Sequence, residues 1–375
     1  MYKGHPVVVF ATEHYNTLGL IRSLGEVGMS PNYIAVKGKA KVASTIKYVL
    51  KNYFVNSIDE GYNLLCREYG NPNKGEEAIV LCMEDKVLGV MDEHYDEIFE
   101  KFIMFSSGEK GRTLEYMDKF KILELAKKHG LKTLDTIVVD RGDIPADFEY
   151  PVITKSISPT VGGWKSDVHI CENAEELKSA YDHVLSSKVV IQKYIDKKNE
   201  YCLDGISFNK GNEVMIPIES TYNYLIKGYY SPYMTVKPFV NEEMKKALDG
   251  MMAEIGFEGI YSIEFLIDKD DNYYFSEINF RHSTWGYAAT VAGMNMPELW
   301  IKGMIDGSIA ADRKKTFEPF TAMVEPIDYQ KRVVEKGMNL KEWVGELLDC
   351  KCPFYFNKND MEPFFEMVRN NGKLR

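Results

Sequence analysis

Residues 261–283 have the sequence YSIEFLIDKDDNYYFSEINFRHS, and they decide how the whole chain is interpreted. Two apolar segments joined by a charged turn predict a β-hairpin. Successive side chains of a strand point to opposite faces, so Glu264 and Glu277 interrupt faces that should be apolar or plain surface. One face of the second strand is predicted to carry Phe275, Glu277, Asn279 and Arg281.

The turn sets the register of this hairpin. Residues 269–272 suit a four-residue loop, which pairs Asp268 with Tyr273 and Glu264 with Glu277. Directly opposed side chains lie about 5 Å apart at Cβ, and like charges at that distance are destabilising. A positive group is therefore expected between the two glutamates.

Three positive groups are candidates for that place: Arg281, a lysine from elsewhere in the chain, or a divalent cation. Glu264, Glu277 and Asn279 offer only oxygen ligands, which suit magnesium, an ion that keeps several waters and binds phosphate oxygens. The alternative is an exposed hairpin whose acids are solvated. The hairpin alone does not decide between these interpretations.

Composition narrows the class of protein. The 375 residues are 45% hydrophobic and 27% charged, which is typical of a globular protein, and the length predicts two or three lobes. A net charge of -10 argues against broad nucleic-acid binding, which rests on Lys and Arg. No apolar run is long enough to span a bilayer, so no membrane role is expected. Six scattered cysteines predict reduced thiols and a cytoplasmic location.

Strands alternating with helices near the N-terminus predict a doubly wound parallel sheet, and the fold class is α/β (α+β). The dinucleotide fingerprint G-x-G-x-x-G does not follow the first strand. The predicted units are an N-terminal α/β domain (1–110), a small lobe (111–190), a large lobe with the metal site (191–310) and a C-terminal extension (311–375).

Two lysines and a glycine loop are candidates for binding phosphate. Lys155 ends the apolar run PVITK, and a buried ammonium needs an anion. Glycine-rich loops let backbone N–H groups approach phosphate oxygens. The loop and its flank contain Ser158, Gly162, Gly163, Lys165 and Ser166, without the Walker spacing. Lys119 stands at a predicted helix start, and alone it is a weak candidate.

The segment VVIQKYID predicts a strand that runs into a linker between lobes. Free backbone groups of Gln192, Lys193, Tyr194 and Ile195 are suited to read an adenine edge, with Glu200 in reach of ribose. An ordinary strand ending in a charged turn is the alternative.

These residues, taken in order, resemble the ATP-grasp superfamily over about residues 5–310. The chain is most similar to carboxylate–amine ligases related to D-aspartate ligases and carbamoyl-phosphate synthetase halves. SEINFRHS resembles the family's E-I-N-P-R signature, with Phe280 in place of proline, and Lys193 stands where the family often has an acid. The resemblance implies an ATP-grasp fold in which two lobes grip ATP.

The resemblance also implies residue roles. Lys119 and Lys155 would hold phosphates, residues 192–195 adenine, and Glu200 ribose. Glu264, Glu277 and Asn279 would hold Mg2+, with Mn2+ as an alternative, and Arg281 would steady the transferred phosphoryl group. Lys165 would act in catalysis with the glycine loop, and His282 is a candidate substrate contact or base.

The function implied is ATP-dependent coupling of a small-molecule carboxylate to an amine, in a homodimer. The alternatives are a carbamoyl-phosphate-type enzyme and a regulatory module that binds ATP without turnover. Two further segments are candidates for the substrate side. They are Ser283 and Trp285 beside His282, and Tyr222, Tyr224, Lys227, Tyr229 and Tyr230, which form either a lid or a packed loop.

Overall fold

The computed structural model describes residues 1–38, 41–160, 164–226, 230–307, 309 and 316–370, with only the backbone of 164 and 165. The strands are β1 (Val7–Thr12), β2 (Asn32–Val36), β3 (Lys51–Val55), β4 (Ala78–Cys82), β5 (Phe102–Met104), β6 (Thr136–Asp140), β7 (Val152–Ser156), β8 (Ile170–Cys171), β9 (Lys188–Lys193), β10 (Asn199–Phe208), β11 (Glu213–Tyr222), β12 (Tyr233–Pro238), β13 (Gly259–Ile267), β14 (Tyr273–Asn279), β15 (Phe320–Met323) and β16 (Cys352–Pro353). The helices are α1 (Tyr15–Glu26), α2 (Ile58–Tyr69), α3 (Asp85–Glu93), α4 (Tyr95–Ile98), α5 (Arg112–Tyr116), α6 (Lys119–Lys128), α7 (Ala174–Ala180), α8 (Glu242–Ile255), α9 (Gly286–Val291), α10 (Met296–Asp306), α11 (Glu325–Asp328), α12 (Leu340–Asp349) and α13 (Glu362–Arg369).

The N-terminal sheet is parallel, with strand order β3-β2-β1-β4-β5. Its central strand β1 is a continuous apolar run, which is typical of a strand buried on both faces. The chain order reverses between β2 and β4, on the two sides of β1, so the carboxyl ends of β1 and β4 flank the topological switch point. The predicted parallel domain is confirmed.

The small lobe is a four-stranded antiparallel sheet of order β6-β9-β7-β8 with its own apolar core. The large lobe is a seven-stranded sheet of order β14-β13-β10-β11-β12-β15-β16. A second apolar core is shared by the N-terminal sheet and the large sheet. These two bodies therefore pack together, and the small lobe is the separate unit.

The segment after residue 316 is part of the large sheet. β15 pairs antiparallel with β12, and β16 pairs parallel with β15. Glu325 is buried and accepts hydrogen bonds from the backbone N–H groups of Phe354, Tyr355 and Phe356 at 2.8–3.1 Å. The C-terminal extension thus completes the large lobe. Among the described residues, no helix is both long enough and apolar enough to cross a membrane.

The hairpin of β13 and β14 differs from its predicted register at the turn. Ile267, not Asp268, is opposite Tyr273, and a bulge follows between the pairs Phe265–Phe275 and Glu264–Glu277. The extra residue restores the predicted pairing of the two glutamates. It also places Phe275 and Glu277 on opposite faces, because one inserted residue reverses the alternation. The predicted shared face of Phe275 and Glu277 was therefore wrong.

Candidate active site

Three metal-binding candidates lie together on the large sheet. Glu264 on β13 is directly opposite Glu277 on β14, and Asn279 is opposite Ser262. Asn279 Nδ2 donates to Glu264 Oε1 at 3.4 Å. Burial, and then the charge of Glu277, raises the pKa of Glu264. Two crowded carboxylates beside an amide make a donor set that a hard cation would stabilise.

The positive group beside the glutamates is a lysine from elsewhere in the chain. Lys119 Nζ donates to Glu277 Oε2 at 3.2 Å. Helix α6 begins at Lys119 because the Asp118 carboxylate caps it, accepting from the N–H groups of Phe120 and Lys121. The Lys119 charge lowers the pKa of Glu277. Burial alone would lower the pKa of Lys119, but Glu277 raises it overall, so both groups are charged.

Arg281 connects the metal-binding candidates to the N-terminal domain. Its Nη2 donates to Asn279 Oδ1 at 3.1 Å, and its Nε donates to Asp85 Oδ1 at 3.1 Å. Asp85 is the first residue of α3, a helix of the N-terminal domain. The guanidinium thus lies between two bodies of the fold.

Lys155 belongs to a polar chain in the small lobe. Its Nζ donates to Gln192 Oε1 at 2.9 Å, and Gln192 Nε2 donates to Thr136 Oγ1 at 2.9 Å. The sheet register explains this chain, because Thr136 is directly opposite Gln192 on one side and Ile153 is opposite it on the other. Lys155 is two residues after Ile153, so it lies on the same face of the sheet. Burial lowers the pKa of Lys155 to about 8. A bound anion beside the ammonium would raise the pKa of Lys155 back toward its ordinary value.

The linker after β9 presents fewer free donors than predicted. The N–H groups of Lys193 and Tyr194 donate to the carbonyls of Asp135 and Pro151 at 2.8 and 2.9 Å. Within the described part of the chain, the N–H of Ile195 makes no hydrogen bond. The side chain of Lys193 points to the surface, toward Glu149 at 3.3 Å. Donation of an N–H to adenine is therefore limited to Ile195, with carbonyl groups as acceptors.

Glu200 is buried on β10 and pairs with Lys197. Its side chain faces the same side of the sheet as Glu264, since Glu200 is opposite Leu266 and Cys202 is opposite Glu264. A ribose contact by Glu200 stays a prediction.

The structure describes the two ends of the glycine loop. Ser158 shares a hydrogen bond with Thr160 at 3.0 Å, and Asp167 accepts from the Leu185 N–H at 2.7 Å, which anchors the far end on the small lobe. The Ser166 side chain is exposed, and its carbonyl accepts from His169. Predictions for Gly162, Gly163 and the side chain of Lys165 lie outside the described residues.

The structure does not bring the predicted substrate-side residues to this site. The His282 imidazole is fully buried, and burial lowers its pKa to about 4, so it is neutral at pH 7. Ser283 donates to the buried carboxylate of Asp204 at 2.5 Å, and Trp285 packs edge-on against Phe354. All three residues serve the packing of the large lobe. His282 as a base or substrate contact is therefore not supported by its position.

The tyrosine segment is divided. Tyr222 is buried in the sheet, and the Tyr224 hydroxyl donates to Asp328 in the C-terminal extension at 2.7 Å. The hydroxyl of Tyr230 hydrogen-bonds that of Tyr15 on α1. Lys227 and Tyr229 lie outside the described residues. Tyr222 and Tyr224 thus form a packed segment rather than a lid.

A cavity of about 560 Å³ opens between the N-terminal domain and the large lobe. Its lining includes Lys119, Glu264, Glu277, Asn279 and Arg281, and from the N-terminal domain Thr12, His14, Asn16, Glu84, Asp85 and Lys86. Sequence reasoning missed the second group. The available signal was their place after β1 and β4, at the switch point where open parallel sheets bind ligands.

Comparisons with known proteins agree with this geometry. Residues 118–302 match the family described as the carbamoyl-phosphate synthase L chain, ATP binding domain. A curated relative, the 2-oxoglutarate carboxylase small subunit of Hydrogenobacter thermophilus, is 25% identical over 210 residues, which cover 51% of this chain and 43% of the relative. The chain thus spans less than half the length of that relative.

Solved structures show the same fold. L-amino acid ligase from Bacillus licheniformis has a TM-score of 0.66 and 13% identity, covering 85% of this chain and 80% of that chain. The biotin carboxylase domain dimer of the Hydrogenobacter thermophilus 2-oxoglutarate carboxylase, solved with MgADP, ADP and bicarbonate, has a TM-score of 0.63 and 20% identity. That match covers 85% of this chain and 74% of the other.

The chain has the ATP-grasp fold. Within this fold, residues 118–302 are similar to the ATP-binding domain of the carbamoyl-phosphate synthase L chain. The predictions of an ATP-grasp fold and of a domain similar to the family's ATP-binding domains are confirmed. The borders of the predicted lobes and the individual residue roles stay predictions.

Proposed function

We propose that the protein is an ATP-dependent ligase. It activates a carboxylate as an acyl phosphate and couples it to the amine of an amino acid, giving an amide, ADP and phosphate. One observation carries this proposal. The two glutamates, Asn279, Arg281 and Lys119 line one wall of a cavity whose other wall is the switch point of a parallel sheet.

Phosphoryl transfer depends on positioning and on charge neutralisation more than on covalent catalysis by the protein. Each residue of the site has one of these roles. Lys155 and Lys119 hold the phosphates, and Gln192 orients Lys155 through its 2.9 Å hydrogen bond. Arg281 steadies the transferred phosphoryl group.

Magnesium fits the donor set of Glu264, Glu277 and Asn279, because oxygen ligands suit this ion and the opposed carboxylates need a cation. When bound, magnesium neutralises the phosphate oxygens. Manganese takes similar oxygen ligands and is the ion to compare with it. No group of three or more His, Cys, Asp or Glu side chains suited to a metal occurs among the described residues, so phosphate oxygens and water are expected to complete the coordination.

Hydroxylamine tests the proposal, because it traps an acyl phosphate as a hydroxamate without the natural amine. The protein is incubated with MgATP, hydroxylamine and a panel of carboxylates that includes D- and L-amino acids. Hydroxamate with equimolar ADP is expected for at least one carboxylate. Its absence across the whole panel contradicts the ligase assignment.

Two variants show whether the described site is responsible. Glu277→Gln removes the carboxylate that Lys119 contacts at 3.2 Å and should lower ADP release by at least about 100-fold. Glu243→Gln on the exposed side of α8 is the matched control and should behave as the unmodified protein. Equal rates of ADP release in both variants would show that Glu277 takes no part in the reaction.

A second candidate function is phosphorylation that ends at a carbonyl phosphate, as in carbamoyl-phosphate-type enzymes. The family match to the carbamoyl-phosphate synthase ATP-binding domain favours it. Bicarbonate-dependent ADP release without amide product supports this candidate, whereas amide product supports the ligase. ATP binding without ADP release under any mixture points to a regulatory module.

We also infer a homodimer, as in the carboxylase domain whose solved structure is described as a dimer. Light scattering coupled to gel filtration tests it. A mass of about 86 kDa, twice the 43.0 kDa of one chain, is expected, and a monomeric mass contradicts it.

A further inference from the structure

Glu84 is a charged residue of the cavity that the proposed phosphoryl transfer does not use. It follows β4 and lines the cavity. Its Oε1 accepts the backbone N–H of Thr12 at 2.9 Å, which fixes the carboxylate at the carboxyl ends of β1 and β4. Its Oε2 is buried and has no hydrogen-bond partner within the described residues.

Two cations of the cavity, Lys119 and Arg281, are already paired with other carboxylates, and the third, Lys86, is exposed. Lys119 contacts Glu277 at 3.2 Å, and Arg281 contacts Asp85 at 3.1 Å. Burial raises the pKa of Glu84 to about 7, and the more distant Arg281 charge offsets only part of this effect. A buried carboxylate oxygen without a partner is costly, so the cavity is built to receive a group that donates to it.

The cavity lining therefore contains two groups of different chemistry. Arg281 and the metal-binding candidates stand where a phosphorylated carboxylate would be held. The buried oxygen of Glu84 that has no partner among the described residues repels a second carboxylate and attracts a cation. A ligand that satisfies both groups places a positively charged nitrogen at Glu84.

We propose that Glu84 binds the ammonium group of the amine substrate, so that this substrate is a primary amine that enters as a cation. The inference rests on the ligase function proposed above and names the class of its second substrate. Thr12 acts as the positioning residue, because its N–H holds the other carboxylate oxygen.

Glu84 also supplies a place for the proton that must leave before coupling. One ammonium proton passes to Oε2 and frees the nitrogen lone pair. The lone pair attacks the acyl carbon, the new C–N bond forms, and the bond from that carbon to the phosphate oxygen breaks. Phosphate leaves with the bonding electrons and takes up the second nitrogen proton, so that a neutral amide remains.

Glu84→Gln tests the inference, because the amide keeps an acceptor for the Thr12 N–H and removes the charge. Hydroxylamine and the individual amino acids are compared as nucleophiles, using the carboxylate that gives most hydroxamate. Hydroxylamine is largely uncharged at neutral pH and does not need an ammonium site. Glu93→Gln, at the exposed end of α3, is the matched control.

In Glu84→Gln, the KM for the amino acid should rise about 10- to 100-fold, the loss expected for a hydrogen bond to a charged group. Hydroxamate formation at saturating hydroxylamine and the KM for ATP should stay within about twofold of the unmodified protein. The N-acetyl form of the same amino acid, which lacks the ammonium group, should not act as nucleophile with either protein.

The outcomes separate this inference from the ligase proposal. Failure of the unmodified protein to form any hydroxamate overturns the ligase function. Normal hydroxamate formation with an unchanged amine KM in Glu84→Gln overturns only the role of Glu84. A loss of hydroxamate formation equal to the loss of amide formation also overturns that role, because it shows a general defect of the site.

Discussion

Replacing Lys155 with methionine tests two effects of this lysine. One is its effect on the free energy of unfolding without ATP, and the other is its effect on the affinity for ATP. Methionine keeps the length and apolar stem of the side chain and removes the ammonium. Among the described residues, Gln192 Oε1 at 2.9 Å is the one hydrogen-bond partner of the ammonium. We therefore expect weaker ATP binding together with a change in stability that depends on pH.

The magnitude follows from the pKa of Lys155, which burial lowers from 10.5 to about 8. A difference of one pH unit is worth about 1.4 kcal/mol. Keeping this lysine charged in the folded protein thus costs on the order of 3 kcal/mol at pH 7. Between pH 8 and 10.5 the unfolded chain binds the proton and the folded chain does not, so the unmodified protein gains stability as pH rises. By pH 9 the cost should have fallen by about 1 kcal/mol.

Urea unfolding of both proteins at pH 7 and pH 9, followed by circular dichroism, measures this change. Groups common to both proteins cancel in the difference of their unfolding free energies. The unpaired Gln192 amide in the variant adds an offset of about 1–3 kcal/mol, but this offset does not depend on pH. Lys155→Met should therefore lose about 1 kcal/mol relative to the unmodified protein between the two pH values.

The control is Lys188→Met on β9, because Lys188 is 60% exposed and pairs with Asp140 at the surface. Its stability should differ from that of the unmodified protein by less than about 0.5 kcal/mol at both pH values. A pH-independent difference for Lys155→Met, together with unchanged ATP affinity by calorimetry, would refute the assignment of Lys155 as a buried phosphate-binding cation.

Three further predictions concern other parts of the site and its support. Arg281→Lys removes the guanidinium that contacts Asn279 and Asp85 at the same time. The kcat for ADP release should therefore fall about 100-fold, with little change in the KM for ATP. A change in KM alone contradicts this role. Gln192→Met leaves the small-lobe lysine without its orienting oxygen, so the KM for ATP should rise about 10-fold in steady-state assays, and an unchanged KM means that this lysine is positioned by other groups. Asp328→Asn weakens a buried carboxylate that accepts from the Trp343 indole at 2.7 Å and from an arginine, so urea unfolding should show a loss of about 2–4 kcal/mol; no loss would mean that the C-terminal extension is not part of the large lobe.

The part of the site that could be predicted from sequence is the part carried by neighbouring strands. Glu264, Glu277 and Asn279 come together because strand alternation and a short turn are local properties. The bulge before Glu277 could not be predicted, because core packing of Phe275 selects it. His282 was assigned to the site from its neighbours in the sequence, but its side chain turns into the core.

The sequence by itself determined the chemistry available to this protein: paired acids, phosphate-seeking lysines and a parallel N-terminal sheet. Only the tertiary structure decided which partners meet. Lys119 reaches Glu277 because α6 packs against β14, and Asp85 at the start of α3 meets Arg281 although the two residues are distant in the chain. The tertiary structure also placed Glu84 in the cavity that these residues line. Packing between bodies depends on the sum of many apolar contacts, and no local pattern records that sum.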